Sequence, residues 1–247
     1  MAGKPIIEFE NVSKAFGPKV VLDEFDLTVH EGETFAIMGP SGTGKSVTLR
    51  HVIGLIHQDK GVVRVEGQDM STIGAEELRA LRSRMGYVFQ EAALLNWLSA
   101  GENVALPLRE TTDMPESEIR QRVHDKLALV KVPDVYDKMP SELSGGMRKR
   151  VGLARGLITD PDLILYDEPT AGLDPEISAS INNTIRELGL GLKVTALVVT
   201  HHIGCVKTVA DRVGLLDGGK LHFVSTPKEF LASQEPRLVR FLGDRLD

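Results

Sequence analysis

The sequence predicts an α/β fold, on three observations. Residues 163–166, 194–199 and 213–216 are short apolar runs of strand length. They alternate with stretches whose apolar residues recur at helical spacing, the order expected of helices laid on a sheet. A glycine-rich loop, residues 39–46, stands where one such strand passes into one such helix.

Along the chain, Val20, Leu22, Phe25, Leu27 and Val29 nearly alternate, and residues 33–38 form a short run ending at a glycine; both predict strands. Over 44–55 the spacing changes to Val47, Leu49, Val52, Ile53 and Ile56, closer to one face of a helix. Val62, Val63 and Val65 and residues 85–89 predict further strands around a helix near 75–84. Ile119, Val123, Leu127 and Val130 follow Pro115, a residue suited to a first turn, and predict a helix over 116–130. Two more helices are expected over 145–159 and 175–188, the latter on the face Ile177, Ile181, Ile185 and Leu188. The helix-rich stretch 91–155 reads as an insertion into the sheet-bearing part.

The 247 residues are 42% hydrophobic and 26% charged, an ordinary globular balance, and a net charge of −6 disfavours a protein that coats nucleic acid. A single cysteine, Cys205, allows no intrachain disulfide and suits a reducing compartment. No run approaches the ~20 apolar residues of a membrane span, and residues 1–9 lack the pattern of a secretory signal. A cytoplasmic protein is expected.

Gly39-Pro40-Ser41-Gly42-Thr43-Gly44-Lys45-Ser46 fits the phosphate-binding pattern G-x-x-x-x-G-K-[ST]. The glycines let backbone N–H groups turn inward, and the following helix points its positive end at a phosphate. Lys45 is expected at the β- and γ-phosphates of a nucleotide, and the Ser46 hydroxyl at Mg²⁺. Asp167, at the end of the run 163–167, is the metal candidate. Glu168 would take a proton from the attacking water, its side chain aimed elsewhere by the alternation of an extended segment.

Leu143-Ser144-Gly145-Gly146-Met147 begins its serine 23 residues before Asp167, and with the loop and the Asp167-Glu168 pair it resembles the signature of ATP-binding cassette (ABC) ATPases. The resemblance covers nearly the whole chain. It implies a P-loop NTPase with a RecA-like core sheet, an antiparallel β subdomain (core and β parts about 1–90 and 156–225), an inserted helical subdomain (about 91–155) and a C-terminal helical tail (about 226–247). It implies ATP and Mg²⁺, with Phe16 on the adenine, Gln90 sensing Mg²⁺ and the γ-phosphate, Val47 giving its backbone N–H, and His201 as the switch histidine. Residues 171–174 match the D-loop. It further implies a head-to-tail dimer, each ATP lying between Lys45 of one copy and Ser144-Gly145-Gly146 of the other. Met147, Val47 and His202 depart from the commonest family pattern; His202 reads as a solvated histidine.

Residues 44–55, 102–110 and 143–151 are similar to one branch, the ATPases of MCE-type lipid transporters (the MlaF-like group). That likeness implies peripheral attachment to the cytoplasmic face of a bacterial inner membrane, with a multispanning permease, an MCE substrate-binding protein and a STAS-domain subunit, moving phospholipid or a related lipid. The competing expectations are a cassette for lipoprotein release, amino acids or metal ions, and a soluble ABC protein acting on nucleic acid or ribosomes. The second usually carries two cassettes or a long coiled coil, which this sequence does not show. Leu94-Leu95-Asn96-Trp97-Leu98, directly after Gln90, is expected to meet a permease helix, with packing of Trp97 inside the helical insertion as the alternative.

Overall fold

The structure, a computed structural model, describes residues 3–243. Its elements are β1 (Pro5–Phe16), β2 (Lys19–His30), β3 (Thr34–Met38), α1 (Lys45–Val52), β4 (Lys60–Val65), β5 (Gln68–Asp69), α2 (Ala75–Ser83), β6 (Met85–Val88), α3 (Ala100–Thr111), α4 (Glu116–Leu129), α5 (Gly145–Leu157), β7 (Leu163–Asp167), α6 (Pro175–Leu192), β8 (Thr195–Thr200), α7 (Ile203–Val209), β9 (Arg212–Asp217), β10 (Lys220–Ser225), α8 (Pro227–Ala232) and α9 (Pro236–Gly243). The expected strands and helices are present within a few residues. Pro115 is the residue before α4 rather than part of its first turn. The C-terminal tail is helical in α8 and α9, and residues 244–247 of that expectation lie outside the described residues.

The strands form two sheets. One is antiparallel, in the order β2-β1-β4-β5; the other has six strands in the order β10-β9-β3-β8-β7-β6, parallel throughout except for β9 with β10. Alternate residues of the central strands feed two cores, as the pleat requires. Phe35, Ile37, Leu163, Leu165, Leu197 and Val199 face the antiparallel sheet and α1. Ala36, Met38, Ile164, Tyr166, Ala196 and Val198 face the layer of helices α3–α7. Every residue of β3 and β8 is buried, which is why they read as nearly continuous apolar runs, with threonines only at their ends.

The register places the site. Met38 lies opposite Thr200, and Asp167 opposite Val199. Three neighbouring parallel strands therefore end at one level, and the loops that follow them, carrying Gly39, Glu168 and His201, converge at the carboxyl edge of the sheet, where open α/β sheets bind ligands.

Candidate functional site: a phosphate-binding cleft

Only glycine can begin the loop after β3, because a Cβ on Gly39 would stand 2.4 Å from the Leu216 carbonyl oxygen. Gly42 and Gly44 hold φ of 79° and 105°, the left-handed region that glycine enters without strain. Gly44 then caps α1 with no side chain, so the positive end of the helix opens onto the loop. Lys45, only 7% exposed, curls over the loop: its Nζ donates to the carbonyls of Gly39 at 2.8 Å and Pro40 at 3.0 Å and stands 3.6 Å from Glu168 Oε1. The Val47 N–H donates to the Gly44 carbonyl at 2.9 Å, so a nucleotide would find it as a shared donor.

Ser46 Oγ donates to Asp167 Oδ1 at 2.9 Å. The other oxygen, Oδ2, accepts from the Tyr87 hydroxyl at 3.2 Å. Burial pushes the Asp167 carboxyl above its ordinary value, against these two hydrogen bonds, with the neighbouring Glu168 charge adding to the rise. Ser46, Gln90 and Asp167 offer oxygen donors only, a set that suits a hard divalent cation such as Mg²⁺ held partly by phosphate and water.

Glu168 diverges from Asp167 by a different device from the one expected. The segment is not extended there: Glu168 holds φ of 47°, and its N–H donates to the Val199 carbonyl at 2.9 Å. Such a conformation costs a non-glycine residue on the order of 1 kcal/mol, and it swings the carboxylate toward the third strand. There Oε2 meets His201 Nδ1 at 2.9 Å and accepts from the His201 N–H at 3.2 Å.

Phe16, Ser41, Gly42, Gly44, Lys45, Ser46, Val47, Gln90, Glu168 and His201 all line one cleft of about 460 Å³. The Phe16 ring is 47% exposed at its mouth, with Lys14 Nζ 5.5 Å from the ring centroid, so it does not pack into the core. Gly39, Pro40 and Thr43 complete the loop from behind: Pro40 accepts from the Thr43 hydroxyl at 2.9 Å. Ser144, Gly145 and Gly146 are absent from the cleft of their own chain. Ser144 is exposed and caps α5, its Oγ accepting from the Met147 N–H at 3.2 Å, and a Cβ on Gly146 would meet Ile177 Cγ2 at 2.8 Å, so glycine there lets α5 approach α6.

Two residues of this region were not legible as functional. Lys149, which no motif singles out, is 7% exposed, and its ammonium donates to the backbone carbonyls of Gln90 and Glu168, joining α5 to both loops. Burial lowers its pKa, against the opposing pull of Glu91, Glu168 and Asp167. Tyr87, on the edge strand β6, is the other, its hydroxyl reaching Asp167 as described above. His202 is not simply solvated: its ring lies 4.7 Å from that of His201, and its N–H donates to Thr200 Oγ1 at 3.0 Å.

A second cavity, about 490 Å³, lies between α2, β6, α3 and the end of α5 and is walled by Leu78, Tyr87, Phe89, Pro107 and Arg155. Residues 94–98, expected to meet a permease helix, do not line this cavity. Trp97 is 74% exposed and not packed among the helices, while Leu95 is tied to the fully buried Asn103, which accepts from the Leu95 N–H at 2.7 Å and donates to the carbonyls of Leu95, Leu98 and Ser99. Among the described residues no helix is long and apolar enough to cross a membrane.

The family model for ABC transporters matches residues 22–171. The chain is 41% identical to the probable ribonucleotide transport ATP-binding protein mkl of Mycobacterium tuberculosis, over 97% of this chain and 67% of that protein. It is 40% identical to the intermembrane phospholipid transport system ATP-binding protein MlaF of Haemophilus influenzae, over 98% and 92%. It is 38% identical to the methionine import ATP-binding protein MetN of Clostridium acetobutylicum, over 98% and 75%. Among solved structures it resembles the dimeric post-hydrolysis state of the ATP-binding cassette MJ0796 bound to ADP and Pi, with a TM-score of 0.82, 31% identity and coverage of 90% of this chain and 99% of that one. With the glycine-rich loop, Glu168 and His201 lining one cleft and Asp167 hydrogen-bonded to Ser46 of that loop, the chain belongs to the ABC transporter family as its ATP-binding, ATP-hydrolysing cassette.

Proposed function

We propose that this cassette powers the movement of phospholipid or a related lipid between bacterial membranes. The observation that carries the reading is the likeness to MlaF along almost the full length of both chains, together with Met147 in the signature segment and the stretches 44–55 and 102–110. Methionine import, at 38% identity, is the rival reading.

In the proposed cycle, Phe16 stacks on adenine, and the amides of residues 41–46 with Lys45 hold the phosphates. Ser46, Asp167 and Gln90 would hold Mg²⁺, which neutralises charge developing on the phosphates. Glu168 accepts the proton of the attacking water, and His201, 2.9 Å away, keeps that carboxylate aimed. Ser144, exposed at the positive end of α5 and outside its own cleft, would contact the nucleotide of a second copy in a head-to-tail pair. The groove walled by Phe89 and Pro107, with Trp97 exposed beside the helical layer, would seat a segment of a multispanning permease on the cytoplasmic face of the inner membrane. An MCE protein and a STAS-domain subunit would complete the assembly.

The test is co-purification of the full chain with the permease encoded beside its gene, followed by identification of bound lipid. Phospholipid in the complex and phospholipid-stimulated ATPase support the reading. A complex stimulated by methionine and indifferent to lipid refutes it.

A further inference from the structure

Tyr87 occupies a position shared by two sites. It lies on β6, the edge strand of the six-stranded sheet, and lines the groove between α2 and α3. Its ring packs against Phe89 with centroids 4.4 Å apart, and Phe89, 42% exposed, is the aromatic wall of that groove. The far end of the same side chain passes to the strand beside it, where the hydroxyl donates to Asp167 Oδ2 at 3.2 Å. Phe89 is held in turn by Arg155, whose guanidinium lies 5.8 Å from the ring centroid while donating to the carbonyls of Ala92 and Ala93 in the segment that follows Gln90.

We propose that the Tyr87 hydroxyl is a positioning group that orients Asp167 for the metal and links that carboxylate to the aromatic wall of the groove. The inference rests on the nucleotide-site and groove readings above. Asp167 has two oxygens, and each is met by one hydroxyl. The Ser46 hydroxyl, on Oδ1, is the group a metal would share, which leaves Tyr87 to fix Oδ2. A tyrosine has only two side-chain torsions before its rigid ring, so its hydroxyl moves where the ring moves. At 3.2 Å the bond sits beyond the usual O–H···O range of about 2.5–3.0 Å, where a shift of a few tenths of an ångström either tightens or releases it. A segment seated against Phe89 would press on the Tyr87 ring and thus set how firmly Asp167 is held. Phenylalanine at position 87 would preserve the ring stack and lose the link.

The experiment uses the full chain, the non-hydrolysable ATP analogue AMP-PNP and Mn²⁺, whose free concentration is read by electron paramagnetic resonance. Tyr87→Phe is expected to weaken Mn²⁺ binding to the nucleotide-loaded protein about five- to tenfold, the net worth of one ordinary intramolecular hydrogen bond, with AMP-PNP affinity without metal and melting temperature unchanged. Phe89→Ala is expected to shift Mn²⁺ affinity in the wild-type background and to add nothing in the Tyr87→Phe background, since the link is then already cut. Wild-type Mn²⁺ affinity in Tyr87→Phe overturns the positioning role. A Phe89→Ala effect of equal size in both backgrounds overturns the link to the groove. Failure of the wild-type protein to bind Mn²⁺ with AMP-PNP overturns the nucleotide-site reading and the proposal with it, and is distinguished from the other two outcomes by the wild-type titration alone.

Discussion

Replacing Glu168 with glutamine preserves shape and removes the carboxylate proposed to accept a proton from water. Its Oε2 sits 2.9 Å from His201 Nδ1, and its Oε1 3.6 Å from Lys45 Nζ. At an effective dielectric near 20, a charge pair at the latter distance attracts by roughly 4–5 kcal/mol, and desolvation of the two buried groups offsets most of it. Neutralising Glu168 therefore leaves Lys45 no worse placed for phosphate, and ATP affinity should change by less than about threefold, under 1 kcal/mol. Loss of a positioned base slows hydrolysis by about 10²–10⁴, or roughly 3–5 kcal/mol of barrier. Phosphate release at saturating ATP measures the rate, and gel filtration with ATP and Mg²⁺ should show a stable dimer that the wild type does not accumulate. Turnover within about threefold of wild type would refute the assignment of Glu168 as the base.

Phe16→Ala should weaken ATP binding about 5- to 150-fold, the 1–3 kcal/mol of a base stacked on an aromatic, because its half-exposed ring has no core contacts to lose; unchanged binding by calorimetry removes Phe16 from the adenine site. Trp97→Ala should shift stability by no more than about 0.5 kcal/mol and still weaken association with the permease, as a pull-down checks. His51→Leu should flatten the acid side of the stability profile. His51 is fully buried, its Nδ1 donates to the Val47 carbonyl at 2.8 Å, and its Nε2 has no hydrogen-bond partner among the described residues. Burial chiefly, with Lys14 and His57 nearby, lowers its pKa against the opposing pull of the Val47 carbonyl and Asp59. The unfolded chain therefore takes up a proton first as pH falls below the ordinary 6.5, and wild-type stability declines from there, a loss that melting temperatures between pH 7 and 5 should show reduced in the variant.

Much of this site could be read from residue order because its chemistry is local. A loop needing glycine at 39, 42 and 44, a serine capping α5, and a carboxylate after a buried strand each leave a short motif. The strand ends could be placed because β3, β7 and β8 are buried on both faces and so are nearly continuously apolar. What escaped depends on contacts between distant segments. Lys149 sits between Arg148 and Arg150 in the sequence, yet it alone of the three is buried, and its partners are carbonyls 59 and 19 residues away. The Tyr87 hydroxyl meets a carboxylate 80 residues along the chain. The left-handed turn at Glu168 has no glycine to announce it, since neighbouring strands impose it. The segment around Trp97 suggests by its apolarity a meeting with a permease helix; what its composition does not show is that Asn103 ties it to the start of α3 and leaves Trp97 exposed, while a separate cavity forms where Phe89 and Pro107 face α2.

The central claim is that each ATP is hydrolysed between two copies, and mixing two inactive variants tests it directly. Lys45→Ala disables the phosphate loop, and Ser144→Glu sets a negative charge at the start of α5, where the partner's γ-phosphate would lie. Each alone should abolish phosphate release, because a pair of identical copies then has two damaged sites. In a mixed pair, the loop of the Ser144→Glu copy and the signature segment of the Lys45→Ala copy are both intact and face one another. An equal mixture should recover about one quarter of wild-type phosphate release, half the pairs being mixed with one sound site in two. No recovery above either variant alone, with both folded and pairing normally, would contradict the account.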